Sequence, residues 1–521
     1  MSGSGETLIG RIRQSVIGND AVLDGPFGPR RMVYADYTAS GRSLAFIEDT
    51  IRERVLPMYA NTHTEASATG RHTTELREDA RRTIHRAVNG SDDDVVVFCG
   101  SGSTGAVDKL VRVLDLDDAV VFVGPYEHHS NELPWRESAA DVVTIRADRS
   151  GCVDLGHLEE ELRRHAHRRL RIGSFSAASN VTGIVTDVDS VAAVLRRHGA
   201  LACFDYAAAG PYLPIDMTGK DAVFLSPHKF AGGPGTPGVL VAKRALFGGG
   251  PPTVPSGGTV VFVSPTEQSY HTDPSVREEG GTPAIVESIR AGMVFALKEE
   301  VGAAAIARRE RSLARRALAS WGVNPNIEIL GDPQADRLAI LTLGLRHPPG
   351  LLHGNFVVAV LSDLFGIQAR SGCFCAGPYI HRMYPIDDPW SAAMHEEVAR
   401  GHLGAKLAFT RISFGYFASE AVFRYVVDAV HLVADEGWKL LPYYRFDPAT
   451  GLWEHERGLA RFAGASAPES VLADQLEEAR RILAGLDPAP PVDPPVTEEF
   501  ERVRWFPLPS GGAALPSLQP R

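Results

Sequence analysis

Five cysteines, an odd number spread over 521 residues, do not make a disulfide framework. No uninterrupted apolar run reaches the length of a membrane span, and the opening "MSGSGETLIGRIRQSV" holds no apolar signal core. The expected location is therefore the cytoplasm, with no membrane to bind. An excess of cations is missing too: 53 Lys and Arg stand against 64 Asp and Glu, a net charge of -11. That balance argues against nucleic acid or anionic lipid as a partner. The one basic run, "RRHAHRRLR" at 163–171, reads as the end of an exposed helix before the strand "RIGSFS". No internal repeat is present. With 44% hydrophobic and 22% charged residues, a chain of this length supports a large core in two or more domains.

From about residue 95 to 245, β-branched runs alternate with amphipathic segments. "DVVVFCG", "AVVFVG", "DVVTIRA", "RIGSFS", "LACFDY", "AVFLS" and "GVLVAK" read as strands; "TGAVDKLVRVL" and "DSVAAVLRRHG" read as helices. Continuous apolar strands between helices predict an α/β fold with a mostly parallel sheet covered on both faces. Ligands of such sheets sit at the carboxyl ends of the strands. The polar clusters "GSGSTG", "YEHHSN", "SAASN", "DYAA" and "SPHK" fall there, which predicts one active site. A helical stretch over 284–321 leads to a second region holding "RLAILTLGL", "NFVVAVLSDLFG", "QARSGCFCAGPY" and "RISFGYFAS". Residues 485–521 are proline-rich and read as an extended arm or disordered tail.

"GSGSTG" at 100–105 matches a dinucleotide fingerprint, with Glu127 as a candidate ribose ligand, yet the same turn suits a phosphate monoester. Lys229 separates the two. It follows a polar turn, precedes Gly232 and Gly233, and lies between the buried-strand patterns "AVFL" and "GVLV". A lysine at the rim of a sheet is a nucleophile toward carbonyls once burial or a neighbouring cation favours its neutral amine. A phosphate site plus a Schiff-base lysine indicates pyridoxal 5′-phosphate. That cofactor needs a carboxylate to keep its ring nitrogen protonated, and Asp205 ends a strand. His128 and His129 supply a ring to stack on it.

The ordered motifs "EHHSNELPW", "SNVTG", an Asp at a strand end followed by "SPHKF", "EGGTP", "RSGCFCA" and "RISFGY" span roughly 90–420. In this the chain resembles the class V branch of fold-type I pyridoxal-phosphate enzymes, the cysteine desulfurases and selenocysteine lyases. The resemblance implies a pyridoxal-phosphate-binding large domain over 46–310 and a smaller α+β domain over 311–440. An N-terminal arm, 1–45, would join the small domain, and 441–521 would be an extension. It implies that Lys229 carries the cofactor and moves protons, that Asp205 pairs with the ring nitrogen, and that His128 stacks on the ring. Asn180 would bond the phenolic oxygen; Ser103, Thr104, Ser226 and His228 would hold the phosphate. Thr282 would reach the phosphate of a partner subunit, hence a homodimer. Arg411 would clamp the substrate carboxylate with Arg370 nearby, and Cys375 would take the sulfur as a persulfide before passing it to an acceptor protein.

The expected activity is removal of sulfur from L-cysteine or a relative, leaving alanine. Two departures keep a C–S lyase, aminotransferase or epimerase as the alternative. Ala208 stands where the family usually has a glutamine, and "YPIDDPWSAAMHEEVARGH" lengthens the segment between Cys375 and Arg411. The Cys373–Cys375 pair lacks further ligands for a metal, so none is expected.

Overall fold

A computed structural model of the chain describes residues 2–347, 350–384, 386–486 and 496–508. The chain divides into two compact units. The first comprises Met1–Ile17, Thr38–Asn180 and Ile184–Arg309; the second comprises Gly18–Tyr37, Val181–Gly183 and Glu310–Arg521. Within the N-terminal stretch, residues up to Ile17 group with the first unit and Gly18–Tyr37 with the second, as do the described residues after 441.

All seven expected strands of the first unit form, as β1 (Asp94–Cys99), β2 (Ala119–Val123), β3 (Asp141–Thr144), β4 (Leu170–Ser176), β5 (Leu201–Asp205), β6 (Ala222–Leu225) and β7 (Gly238–Lys243). They make one sheet in the order β1-β7-β6-β5-β4-β2-β3. Neighbours from β6 to β3 run parallel, while β7 is antiparallel to both β1 and β6. β2 and β6 are buried along their whole length, and β4 and β5 everywhere but at their first residues, which is why their sequences run apolar without alternation. β3, at the edge, has no buried residue. Val97, Val121, Ile172, Phe224 and Leu240 pack with Trp135 and with Ala106, Val107 and Leu110 of the helix Gly102–Val113. Each such side chain contributes up to about 1.5–3 kcal/mol by leaving water.

The basic run behaves as expected: the helix Leu155–Arg164 ends inside it and β4 begins at Leu170. The helical stretch after 284 is two helices, Ile285–Val301 and Ala303–Trp321. They break at Gly302, whose φ of 88° closes the first helix.

In the second unit β8 (Ile327–Ile329), β9 (Ile340–His347), β10 (Arg370–Gly372) and β11 (Phe409–Ser413) form an antiparallel sheet in the order β8-β9-β11-β10. The apolar "NFVVAVLSDLF" lies in the helix Gly354–Phe365, closed by Gly366 in the left-handed region. The inserted segment after Tyr384 contains the helix Asp388–Ala399, whose N-cap Asp387 accepts from the Trp390 amide at 2.8 Å.

Part of the tail departs from expectation. Residues 487–495 and 509–521 lie outside the described residues, but Glu498–Val503 is a helix and Trp505 and Phe506 are fully buried. The reason is aromatic: Phe506 packs on His353, Phe446 and Trp453 at ring separations of 4.5–6.3 Å. A reading by proline content passes over these anchors. Among the described residues no helix is long and apolar enough to cross a membrane.

Candidate active site

The residues expected to share a site divide between the units. Ser103, Thr104, His128, Asn180, Asp205, Ser226, His228, Lys229 and Thr282 belong to the first; Arg370, Cys375 and Arg411 belong to the second.

In the first unit the strand ends bring several of these groups together. After β6 the chain makes a tight helical turn, Pro227–Lys229, in which the Lys229 amide donates to the Ser226 carbonyl at 3.0 Å. Ser226 Oγ accepts from the Ser103 amide at 2.8 Å, so the turn after β6 docks on the first turn of the helix Gly102–Val113. Gly102 has φ of 54°, and a Cβ there would meet His228 Cε1 at 2.8 Å and Ser226 Oγ at 2.9 Å. Gly238, opening β7, must be bare as well, because a Cβ would strike the Gly102 carbonyl. A helix N-terminus ringed by hydroxyls and a histidine is an anion site. Burial and the nearby Lys229 push the His228 pKa down to about 4, so at neutral pH it is an uncharged ring offering hydrogen bonds.

Thr104 Oγ1 lies 2.7 Å from Ser130 Oγ, which lies 3.0 Å from His128 Nδ1. This chain ties the His128 ring to the phosphate-type turn. Sequence reasoning does not reach Ser130; its place two residues after His128 in "YEHHSN" is the only signal. Asp205, at the end of β5, is buried and accepts from the Ala207 amide at 2.8 Å. Burial raises its pKa, an effect opposed by that amide, by the Lys229 charge and by the Ser103 hydroxyl. A buried carboxylate in that condition gains from a further cation or N–H donor.

Glu127 is not a ribose ligand. It is buried and turned inward, accepting from Asn131 Nδ2 (2.6 Å), Ser176 Oγ (2.6 Å), and the amides of Ser176 (2.8 Å) and Gly124 (3.2 Å). Burial is the main reason its pKa is pushed up to about 7. The dinucleotide reading loses its acidic residue. Asn180 is buried at the end of the "SAASN" stretch. Thr282 is exposed and accepts from Asn61 Nδ2 at 3.2 Å.

In the second unit Arg370 and Arg411 are directly paired across β10 and β11. Like charges facing each other on a sheet are unfavourable. Asp36, which sequence reasoning passes over in "VYADYTAS", resolves the conflict: its Oδ1 accepts from Arg411 Nη2 and its Oδ2 from Arg370 Nε, both at 2.9 Å. Arg411 is buried and Arg370 half-exposed. A guanidinium has five N–H donors, so one bond to Asp36 does not exhaust it. Cys375 is exposed and Cys373 partly buried. Burial raises the Cys373 pKa, while the Cys375 backbone N–H bonded to its sulfur works against the rise. Among the described residues no group of three or more His, Cys, Asp or Glu could hold a metal.

A mostly parallel sheet with a lysine, a buried aspartate and an anion-binding turn at its strand ends defines the class of pyridoxal-phosphate enzymes. The chain belongs to the aminotransferase class-V family, whose pattern it matches over residues 33–422. Probable cysteine desulfurases of Halalkalibacterium halodurans and Staphylococcus aureus strain COL are each 28% identical to it. The alignments run over 368 and 376 residues, covering 68% and 70% of this chain and 87% of each relative. The fold is that of the apo cysteine desulfurase from Thermococcus onnurineus NA1, with a TM-score of 0.66 at 20% identity over 81% of this chain and 97% of that one. It is also that of the Escherichia coli cysteine desulfurase CsdA, at 0.61, 21%, 77% and 94%.

The family uses pyridoxal 5′-phosphate. The residues fit it: a helix N-terminus with Ser103, Thr104, Ser226 and His228 suits a phosphate, a buried aspartate suits a pyridinium nitrogen, and Lys229 is a primary amine beside them.

Proposed function

We propose that this class-V enzyme removes sulfur from L-cysteine or a close relative, leaving alanine and a persulfide on Cys375. The observation that carries the reading is Cys375 itself, an exposed thiol at the family's cysteine position, in the same unit as two arginines paired across a sheet. The relatives named as cysteine desulfurases support it.

When bound, pyridoxal phosphate supplies an electron sink conjugated to the substrate Cα. Lys229 would hold it through its amine and would carry a proton to and from the substrate Cα. Asp205 would keep the ring nitrogen protonated, and His128, fixed through Ser130 and Thr104, would pack on the ring. Asn180 would donate to the phenolic oxygen, and Ser103, Thr104, Ser226 and His228 would hold the phosphate. Arg411 binds the substrate carboxylate with Arg370 alongside. The Cys375 thiolate attacks the substrate sulfur; an S–S bond forms, the C–S bond breaks, and its electron pair returns to carbon, which takes up a proton to give alanine.

We further propose a cytoplasmic homodimer in which Thr282 reaches the phosphate of the partner subunit, and an acceptor protein that takes the persulfide sulfur. Ala208, buried where the family usually has glutamine, keeps β-elimination as the second reading. Product analysis with L-cysteine decides between them. Alanine with sulfane sulfur on Cys375 supports desulfuration, whereas pyruvate and ammonia with an unmodified Cys375 overturn it.

A further inference from the structure

Phe374, between the two cysteines, stands in a conformation that bulky side chains rarely adopt, since positive φ crowds them. Phe374 and Cys375 both have φ of 55°. The tight turn they make is closed by the Ala376 amide donating to the Cys373 carbonyl at 3.0 Å. Two successive left-handed residues are strained and persist only where the surroundings hold them. A cation lies on the ring: Phe374 is buried, and the Arg411 guanidinium carbon is 4.8 Å from its ring centroid. That cation is itself fixed. Arg411 is on β11, its Nη2 donates to Asp36 Oδ1 at 2.9 Å, and Asp36 bridges to Ser413 of the same strand.

We propose that Phe374 is a positioning residue: its ring under the Arg411 guanidinium holds the turn that presents the Cys375 thiol. In the chain order of the turn Phe374 immediately precedes Cys375, so fixing the ring limits the directions open to the thiol. The guanidinium that clamps the carboxylate is thereby also the fastening of the nucleophile's turn. Departure of either partner alters Cys375 without touching Lys229 or Asp205. The catalytic half of the proposal rests on the desulfurase reading; the conformational half does not.

The experiment compares the wild-type holoenzyme with Phe374→Leu, which keeps apolar bulk but removes the aromatic face, and Phe374→Tyr, which keeps the face. Two quantities are measured: alkylation of Cys375 by iodoacetamide, resolved from Cys373 by peptide mass, and single-turnover persulfide formation from L-cysteine, alongside its KM. Phe374→Leu should change the Cys375 alkylation rate about fivefold and slow persulfide formation about tenfold, with KM within about twofold. Phe374→Tyr should return both rates to within about twofold of wild type. Phe374→Met replaces the leucine variant should that fail to fold. The proposal is overturned if Phe374→Leu matches wild type at Cys375, if Phe374→Tyr is as altered as Phe374→Leu, or if KM rises with the rate unchanged. A wild-type enzyme that forms no persulfide refutes the desulfurase reading, and the alkylation rates still decide the role of Phe374.

Discussion

The two units build their functional groups by different means. In the first, strand ends deliver the side chains and the backbone fixes them: the Ser103 amide on Ser226, the Ala207 amide on Asp205, and glycines 102 and 238 where chains meet. In the second, charge does the fixing, through one aspartate between two arginines and one cation over an aromatic ring in a strained turn. A scaffold of backbone contacts to buried groups holds a cofactor in one geometry. Under the proposed function the charge cluster is what would meet the substrate carboxylate, and the turn beside it is what would present the nucleophile. On this comparison, changes in the first unit abolish chemistry outright, and changes in the second grade from abolition to modulation.

The largest effect tests the first unit. Lys229→Ala should remove turnover, by about three orders of magnitude or more, since both covalent attachment and proton transfer are lost. Borohydride reduction and peptide mapping of the wild type should place the pyridoxyl group on Lys229. Label on any other lysine breaks the assignment.

Next come the cysteines of the second unit. Cys375→Ala should end sulfide release from L-cysteine while leaving the bound-cofactor spectrum as it was. Cys373→Ala should keep at least part of the activity, because its thiol is partly buried and raised in pKa and so is the poorer nucleophile. Loss of activity only in Cys373→Ala would put the sulfur on the wrong cysteine.

Arg411→Ala should weaken binding of cysteine about ten- to a hundredfold, the worth of a charge-assisted contact at about 1.5–3 kcal/mol. The cofactor spectrum again serves as the control. An unchanged KM would remove Arg411 from substrate recognition and leave only its structural bonds to Asp36 and Phe374.

The same contrast decides what can be read from sequence. The seven strands, and the places of Lys229, Asp205 and the glycine-rich turn at their ends, are legible because buried parallel strands run apolar and polar clusters at their ends stand out. Asp36 is not: it lies far in sequence from Arg370 and Arg411, and only the pairing of β10 with β11 creates the like-charge conflict it relieves. Glu127 misleads because a carboxylate beyond a strand end looks like a ligand, while two of its four inward hydrogen bonds come from Ser176 on the neighbouring strand, which only folding brings beside Gly124 and Asn131. The tail misleads where prolines mask Trp505 and Phe506. The strain at Phe374 has no composition signal at all.

The smallest effect concerns a buried acid in the second unit that takes no part in the proposed chemistry. Glu310 is fully buried and accepts from the Ala339 amide at 3.0 Å. Burial pushes its pKa from 4.5 up to about 8, with that amide opposing the rise. Below the unfolded value both states hold the proton, and Glu310 contributes nothing to the pH dependence. Between 4.5 and about 8 the folded protein keeps a proton that the unfolded chain releases, so stability falls as pH rises across that window. Glu310→Gln keeps an oxygen to accept from Ala339 and removes the titration. The melting temperature of the variant should therefore gain on wild type by roughly a few degrees between pH 5 and pH 8, with the two closest at the acid end. Parallel curves across that range would mean that Glu310 is already ionised in the folded protein, and that the second unit tolerates a buried charge without the pairing it gives Arg411.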